Sequence, residues 1–458
     1  MEILGMFISL ALLMFLAYRG LPVILMAPLC SLIAIGIAGY PLLLNYTEAY
    51  MPSMAGYFRN FFPIFLLGAV FGKLMDDTGA AMSISRAIAR KLGADKAIMA
   101  VMLSGMILTY GGISVFVIVF ALYPFATAMY KEAHIPKRLI PANIAAGCFA
   151  CAMTALPGSP QIQNIIPTRY FGTDLYAAPG LGIIACIIMA GGAYWWLTRK
   201  KNLAAVAGEG YGINHINEPT IDPDQDLPNP WVATIPLVTV LGLNYIFTQW
   251  VGNWDPAILE GYSVTLDKVK ANWALIMSLS ISIALTIAVH WRFLKAPGRL
   301  TSCLTAGTVG SLLAILNTAA EVGYGGCISK LPGFKVVVDY LTSIDVSPVV
   351  SLGLVVNLLS GIMGSASGGL SIVLETMGAQ YLEMANAIGM NPELLHRVGA
   401  VAASCFDTMP HNGSIVTLLA ICGLTHRQSF PDIFVCLALM PLAAAITIII
   451  LGTTIGCF

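Results

Sequence analysis

Apolar runs close to the width of a bilayer recur along almost the whole chain, and no other feature limits its fold so sharply. They are Leu21–Gly39, Phe61–Met75, Ala97–Tyr130, Ile140–Leu156, Ala178–Leu197, Trp231–Trp250, Trp273–Trp291, Leu300–Ala319, Val346–Met363, Gly369–Ala385, Val398–Met409 and Ile433–Ile450. A helix needs about 20 residues to cross the hydrocarbon layer. Period-2 alternation, the mark of a spanning barrel, is absent, so the expected class is an all-α polytopic membrane protein. Composition agrees: 58% of the 458 residues are hydrophobic and 10% charged, with mean hydropathy +0.82, whereas soluble domains carry roughly a quarter charged residues. The first residues, MEILGMFISL, have neither a basic start nor a small-residue cleavage site, so they read as a first membrane helix and not as a signal peptide.

A net charge of zero provides no field for nucleic acid or an acidic partner. Of the ten cysteines, Cys148, Cys151, Cys186, Cys303, Cys405, Cys422 and Cys436 lie inside apolar runs without CxxC spacing. They are expected to be packing residues, and no metal or cofactor is expected.

One long polar stretch, Thr198–Asn229, cuts the chain near its middle. The expected organisation is a membrane repeat over 1–198, a cytoplasmic linker over 199–230 and a second membrane repeat over 231–458. The halves resemble each other. TYGGISVFVIVFALY (Thr109–Tyr123) matches ASGGLSIVLETMGAQ (Ala366–Gln380), and KEAHIPKRLIPANIAAGCFACAMTALPGS matches NAIGMNPELLHRVGAVAASCFDTMPHNGS at a nearly constant separation. Lysines and arginines in short connections, such as Arg86, Arg90, Lys91, Lys96, Lys131, Lys137, Arg138 and Arg199, assign those connections to the cytoplasm. Lys96 and Lys131 then lie on the same side, so the apolar chain between them must turn back in the membrane. A re-entrant hairpin is expected, with its tip at 110–114, followed by a crossing helix broken at 157–164. With inverted orientation, the second half gives a hairpin tip at 364–371 and a break at 407–414, leaving both termini outside.

Breaking a membrane helix exposes backbone groups that cost several kcal/mol each unless they line a cavity or a ligand. A proline frees an upstream carbonyl, carbonyl ends suit cations, and amide ends suit anions. Two tips and two breaks converging at the midplane therefore describe an anion site in two inverted-topology repeats. The first tip supplies Thr109, Tyr110, Gly111, Gly112 and Ser114, and the first break supplies Ser159, Gln161, Gln163 and Asn164. The second tip supplies Ser365, Ser367, Gly368, Gly369 and Ser371, and the second break Asp407, Thr408, His411, Asn412 and Ser414. Asp407 and His411, one helical turn apart, are the expected proton-coupling pair. Asn143 is expected to bond between helices, and Glu321 to sit near the outer end of its helix. No arginine or lysine lies at the four breaks, which argues against di- and tricarboxylates.

Several segments carry a family resemblance. LLGAVFGKLMDDTGAAMSISRAIARKLG (Leu66–Gly93) resembles the glycine-rich segment of the gluconate permease (GntP) family of the ion transporter superfamily, and GGCISKLPGFKVVVDYL resembles its second-half counterpart. GSASGGLSIVLETMG and AVAASCFDTMP fall where that family has its GSATVAAITTAG-like and ASHVNDPG-like stretches. The resemblance implies a proton-coupled symporter of sugar acids or related hydroxycarboxylates, multi-pass in a bacterial inner membrane. It also implies alternating access and a homodimer whose scaffold would be Leu21–Met75 and Trp273–Asp345. LPGSPQIQN stands where the gluconate branch has an LPPHPGP-like motif, which points towards a hydroxybutyrate-like short acid and away from gluconate itself. Sodium coupling is the rival expectation, since carbonyl ends serve Na⁺ equally well. An enzyme is not expected, because no GxSxG elbow, HExxH or phosphate loop is present.

Overall fold

Ridged faces of small and apolar residues favour lengthwise helix packing, and long helices do pack this way through the computed structural model. It describes residues 2–19, 21–113, 115–213, 217–218, 226–262, 264–334, 336, 346–410 and 412–458. The helices are α1 (Glu2–Tyr18), α2 (Val23–Ile37), α3 (Leu42–Asp77), α4 (Ala80–Leu92), α5 (Ala97–Tyr110), α6 (Val115–Glu132), α7 (Lys137–Ala155), α8 (Ile162–Phe171) and α9 (Pro179–Val206). After the linker come α10 (Pro230–Gly252), α11 (Leu266–Val289), α12 (Arg299–Ile328), α13 (Pro348–Met363), α14 (Ala366–Ala387), α15 (Pro392–Ala403), α16 (Gly413–Cys422) and α17 (His426–Thr454). Among the described residues there is no strand. Among the described residues seven helices are long and apolar enough to cross a membrane, or eight if the pair α4–α5, bent by 115°, counts as one. The chain is an all-α, multi-pass membrane protein.

One layer packs α3 lengthwise against α12, flanked by α2 and α11, with α10 beside α11. The close approach depends on small residues: a Cβ at Gly307 of α12 would stand 2.8 Å from the Cα of Val70 in α3. Against this layer lie α5 with α6, α13 with α14, and the helices α7, α8 and α15. Each half therefore holds a helix–turn–helix, α5–α6 or α13–α14, followed by a helix that stops and restarts, α7–α8 or α15–α16.

The helix α9 continues past Arg199, Lys200 and Lys201 to Val206. The described residues beyond it are held against the ends of neighbouring helices by ion pairs. Lys131 at the end of α6 and Lys137 at the start of α7 both pair with Glu218, Lys137 at 2.8 Å. Arg138 forks onto Glu209 at 2.8 and 2.9 Å. Asn217 adds a bond to the carbonyl of Ala420 in α16 at 2.9 Å.

Candidate functional site

The first break begins where α7 widens into a π-helical run, Ala146–Ala155, every residue of which is buried. Leu156 turns extended, and Gly158 adopts φ +78°, a left-handed conformation closed to most side chains. A Cβ there would also stand 2.5 Å from the Tyr176 ring. The freed backbone is largely answered within the break. Ser159 Oγ donates to Ala152 O at 2.6 Å, and the Gly158 amide donates to Leu175 O at 2.7 Å.

Tip and break meet in the first half. Gln161 Nε2 donates to Thr109 O at 2.8 Å and to Ile113 O at 3.2 Å, so this side chain closes the carbonyl end of α5. Tyr110 Oη donates to Pro157 O at 2.8 Å. Gly111 and Gly112 let the tip press on α10: a Cβ on Gly111 would stand 2.4 Å from Leu237 Cδ2. Ser114 lies outside the described residues.

The second tip turns at Gly364 and Ser365, so Ser367, Gly368, Gly369 and Ser371 belong to the first turns of α14. Ser365 caps that helix by accepting from the Gly368 amide at 3.1 Å. At the second break, Asn412 caps α16, accepting from the Ser414 and Ile415 amides at 2.7 and 3.0 Å, and its Nδ2 donates to Asp407 O at 2.8 Å. Thr408 Oγ1 reaches back to Cys405 O at 3.4 Å. Asp407 is 5% exposed and faces the backbone amides of Ala366 and Thr408, while its Oδ1 has no partner. Tip and break therefore meet in this half too. His411 lies outside the described residues.

The two breaks are neighbours. Thr154 Oγ1 and Ser404 Oγ, from the ends of α7 and α15, lie 3.2 Å apart. Not every residue singled out from the sequence remains available to a ligand. Asn164 is fully buried and saturated: Nδ2 donates to Ser159 O and Leu175 O, and Oδ1 accepts from His396 and Arg397. Gln163 is buried with Oε1 unpartnered, and Ser371 is turned towards Tyr57 on α3. Asn143 bonds between helices, donating to Ile98 O and Tyr130 Oη.

Two charged or titratable side chains, Arg397 and His396, escaped the sequence reading, and the setting of a third, Glu321, differs from the one expected. Arg397 on α15, fully buried, donates to Thr154 O at 3.2 Å, to Asn164 Oδ1 at 3.0 Å and twice to Ala177 O, at 2.6 and 3.1 Å. A guanidinium thus closes the carbonyl end of α7 at the first break. His396 beside it bonds Thr173 Oγ1 at 2.7 Å. Glu321 lies near the C-terminal end of α12 but is not an end residue facing outwards: it is 5% exposed and packed against the second tip, where a Cβ on Gly368 would stand 2.0 Å from its Oε2. The signal for Arg397 and His396 was present in ELLHRVGAV, where two basic residues run straight into an apolar helix without a polar boundary.

Comparison with known proteins decides the family. The model of the GntP family permeases matches residues 1–452. The chain belongs to the GntP permease family. It is a permease, a membrane transporter. It is 42% identical over 473 residues to the uncharacterized transporter YxjC of Bacillus subtilis (strain 168), covering 100% of both chains. The crystal structure of the YdaH transporter of Alcanivorax borkumensis shares the fold, with a TM-score of 0.53 at 18% identity over 88% of this chain and 87% of that one.

Proposed function

We propose that this permease is a proton-coupled symporter of a small hydroxy-monocarboxylate, carried at the junction of the two tip-and-break pairs by alternating access. The observation that carries the reading is Asp407: a carboxyl buried at a helix break, with one oxygen unpartnered and the other side of the group facing the first amide of α14. An uncompensated charge in such a place costs several kcal/mol, so the group asks for a proton or a cation. In this reading α5–α6 and α13–α14 are re-entrant hairpins of two inverted repeats, 1–198 and 231–458, joined by a cytoplasmic linker at 199–230. Protonated Asp407 admits the substrate anion, and its deprotonation on the cytoplasmic side expels it. The α2–α3 and α11–α12 layer serves as the scaffold of a homodimer in a bacterial inner membrane.

The substrate class follows from the polar side chains that the tips and breaks carry. Hydroxyls and amides at Tyr110, Gln161, Ser367, Thr408 and Ser414 suit a hydroxylated acid, with His411 beside them in sequence. Arg397 adds a positive charge near the first break, but it donates to carbonyl oxygens there. It therefore favours an anion through charge and not through direct bidentate binding, which keeps the preference with one carboxylate. The test is uptake of radiolabelled 3-hydroxybutyrate, gluconate, lactate and citrate into proteoliposomes under an inward proton gradient without Na⁺. Accumulation of 3-hydroxybutyrate or gluconate at least tenfold above citrate is expected. Preference for citrate sinks the charge argument, and uptake only with Na⁺ sinks proton coupling.

A further inference from the structure

The inference concerns a carboxyl that the proposed mechanism leaves idle. Glu321 sits on α12, in the layer opposite the moving hairpin of the proposed mechanism, and its Oε2 is buried without a hydrogen-bond partner. The side chain is aimed at the start of α14: Oε2 lies over Gly368, and the Ser365 hydroxyl faces the carboxyl. The absence of a side chain at Gly368 lets the carboxyl approach this closely: a Cβ there would stand 2.0 Å from Oε2 and push it aside. The hydroxyls of Tyr50 and Tyr57 on α3 also face Glu321, and both are buried and unpartnered, as is Ser371 Oγ beside Tyr57. Among the described residues Glu321 forms no ion pair, and the titratable groups facing it are these two tyrosines.

Charge counting makes the arrangement informative. Asp407 faces the Ala366 amide, and Glu321 lies over Gly368, so two buried carboxyls border the first turn of a single helix. The positive end of a helix amounts to roughly half an elementary charge. It cannot compensate two carboxylates in apolar surroundings, where each unpaired ion costs several kcal/mol. At least one further positive charge must enter when both are ionised. The oxygens at hand are one carboxylate oxygen and several hydroxyls, a set fit for a small monovalent cation and too poor in charge for a divalent one.

We propose that Glu321, with Ser365, Tyr50 and Tyr57, forms a second coupling-cation site between α12 and the second hairpin tip, taking a monovalent cation, H⁺ or Na⁺. This rests on the symporter reading. The cation comes from water on one side of the membrane and returns to water on the other. While it is bound, the tip seats on α12 without an unpaired charge; when it leaves, the seam carries a naked carboxylate and the tip is released.

The experiment uses the full chain as wild type, Glu321→Gln and Ser365→Ala. In proteoliposomes, accumulation of labelled 3-hydroxybutyrate and gluconate is driven by a proton gradient or by a Na⁺ gradient, and exchange is measured with no gradient. Glu321→Gln should lose accumulation at least tenfold under whichever gradient drives the wild type, with a smaller loss of exchange. Ser365→Ala, which keeps the carboxyl, should need about tenfold more of that cation. A second arm needs no substrate: the melting temperature of detergent-purified protein is followed against pH in choline chloride and against NaCl at fixed pH. The cation that shifts the wild type identifies the ligand, and Glu321→Gln should lose at least half of that shift. Accumulation by Glu321→Gln equal to wild type, or an unchanged melting response, overturns the proposal. If the wild type accumulates neither acid under either gradient while the melting response still depends on Glu321, the symporter reading fails and the site stands.

Discussion

Asp407 and Arg397 divide the work at the two breaks by charge. Arg397 donates to the carbonyls of Thr154, at the end of α7, and of Ala177, whereas Asp407 keeps an oxygen bare at the matching place in the second half. A satisfied group rigidifies and an unsatisfied one is poised to bind, because leaving a buried polar atom unpaired costs about 1–3 kcal/mol. Replacing Asp407 by Asn retains the shape and most of the capping geometry but removes the titrating proton. Proton-gradient-driven accumulation by Asp407→Asn should fall at least tenfold, and exchange of labelled substrate between equal pools should fall less. Unchanged accumulation with the wild-type pH profile would show that Asp407 only caps backbone amides. At this scale the sequence revealed Asp407, because a lone carboxyl beside Pro410 interrupts an apolar run. It concealed Arg397, whose carbonyl partners at Thr154 and Ala177 are more than two hundred residues distant in the chain. It concealed the role of Glu321 for the same reason.

Elements were more legible than side chains, since glycine and proline punctuate a membrane sequence strongly. The turns between α5 and α6 and between α13 and α14 fall at Gly111–Gly112 and at Gly364; α7 ends at Ala155, just before Pro157, whereas α15 already ends at Ala403, ahead of the expected break at 407–414. The register within the second tip was not legible: Ser367 to Ser371 appear loop-like in composition, yet α14 has already begun at Ala366, because the Ser365 cap starts the helix early. The bend of 115° at Gly93 between α4 and α5 was equally hidden, since nothing in the apolar run beyond it records direction. The two glycines that follow the cap are packing residues. A Cβ on Gly369 would stand 2.4 Å from the backbone N and Cα of Ser360 in α13, atoms that cannot yield without moving the helix. Gly413, at the start of α16, would meet nothing within 4 Å. Gly369→Ala should therefore destabilise the protein by about 1–3 kcal/mol or more through overpacking, whereas Gly413→Ala should be near neutral. Thermal unfolding of the two variants in the same detergent measures the difference, and equal melting temperatures would mean that α13 and α14 are not as closely packed as described.

For the whole molecule, the chain between the two halves does more than connect them. It ties the base of α6 through Lys131, the start of α7 through Lys137 and Arg138, and the end of α16 through Asn217, so both halves are fastened at one end of the bundle. Its composition disclosed a polar segment but not this docking, because the partners of Glu218 and Glu209 lie in other segments of sequence. Burial by itself would raise the Glu218 carboxyl, but Lys131, Lys137 and the Tyr211 hydroxyl outweigh it and hold the group down at about 2 against an ordinary 4.5. Glu209 is likewise held below its usual range by Arg138. A carboxyl depressed in the folded state contributes its stability above the unfolded value and loses it as pH falls towards the folded one. The contribution of Glu218 is thus complete at neutral pH, declines below about 4.5 and is gone near 2. A partly exposed pair is worth up to about 1 kcal/mol, which corresponds to roughly a fivefold change in local opening. Hydrogen exchange of the amides around Tyr211, compared at matched pH, should be several-fold faster in Glu218→Gln than in wild type at pH 7. The gap should narrow as both are acidified from pH 4.5 towards pH 3. A gap that is absent at pH 7, or that persists unchanged in acid, would mean that backbone bonds such as Lys137 N to Tyr211 O hold the strap and that its charges do not.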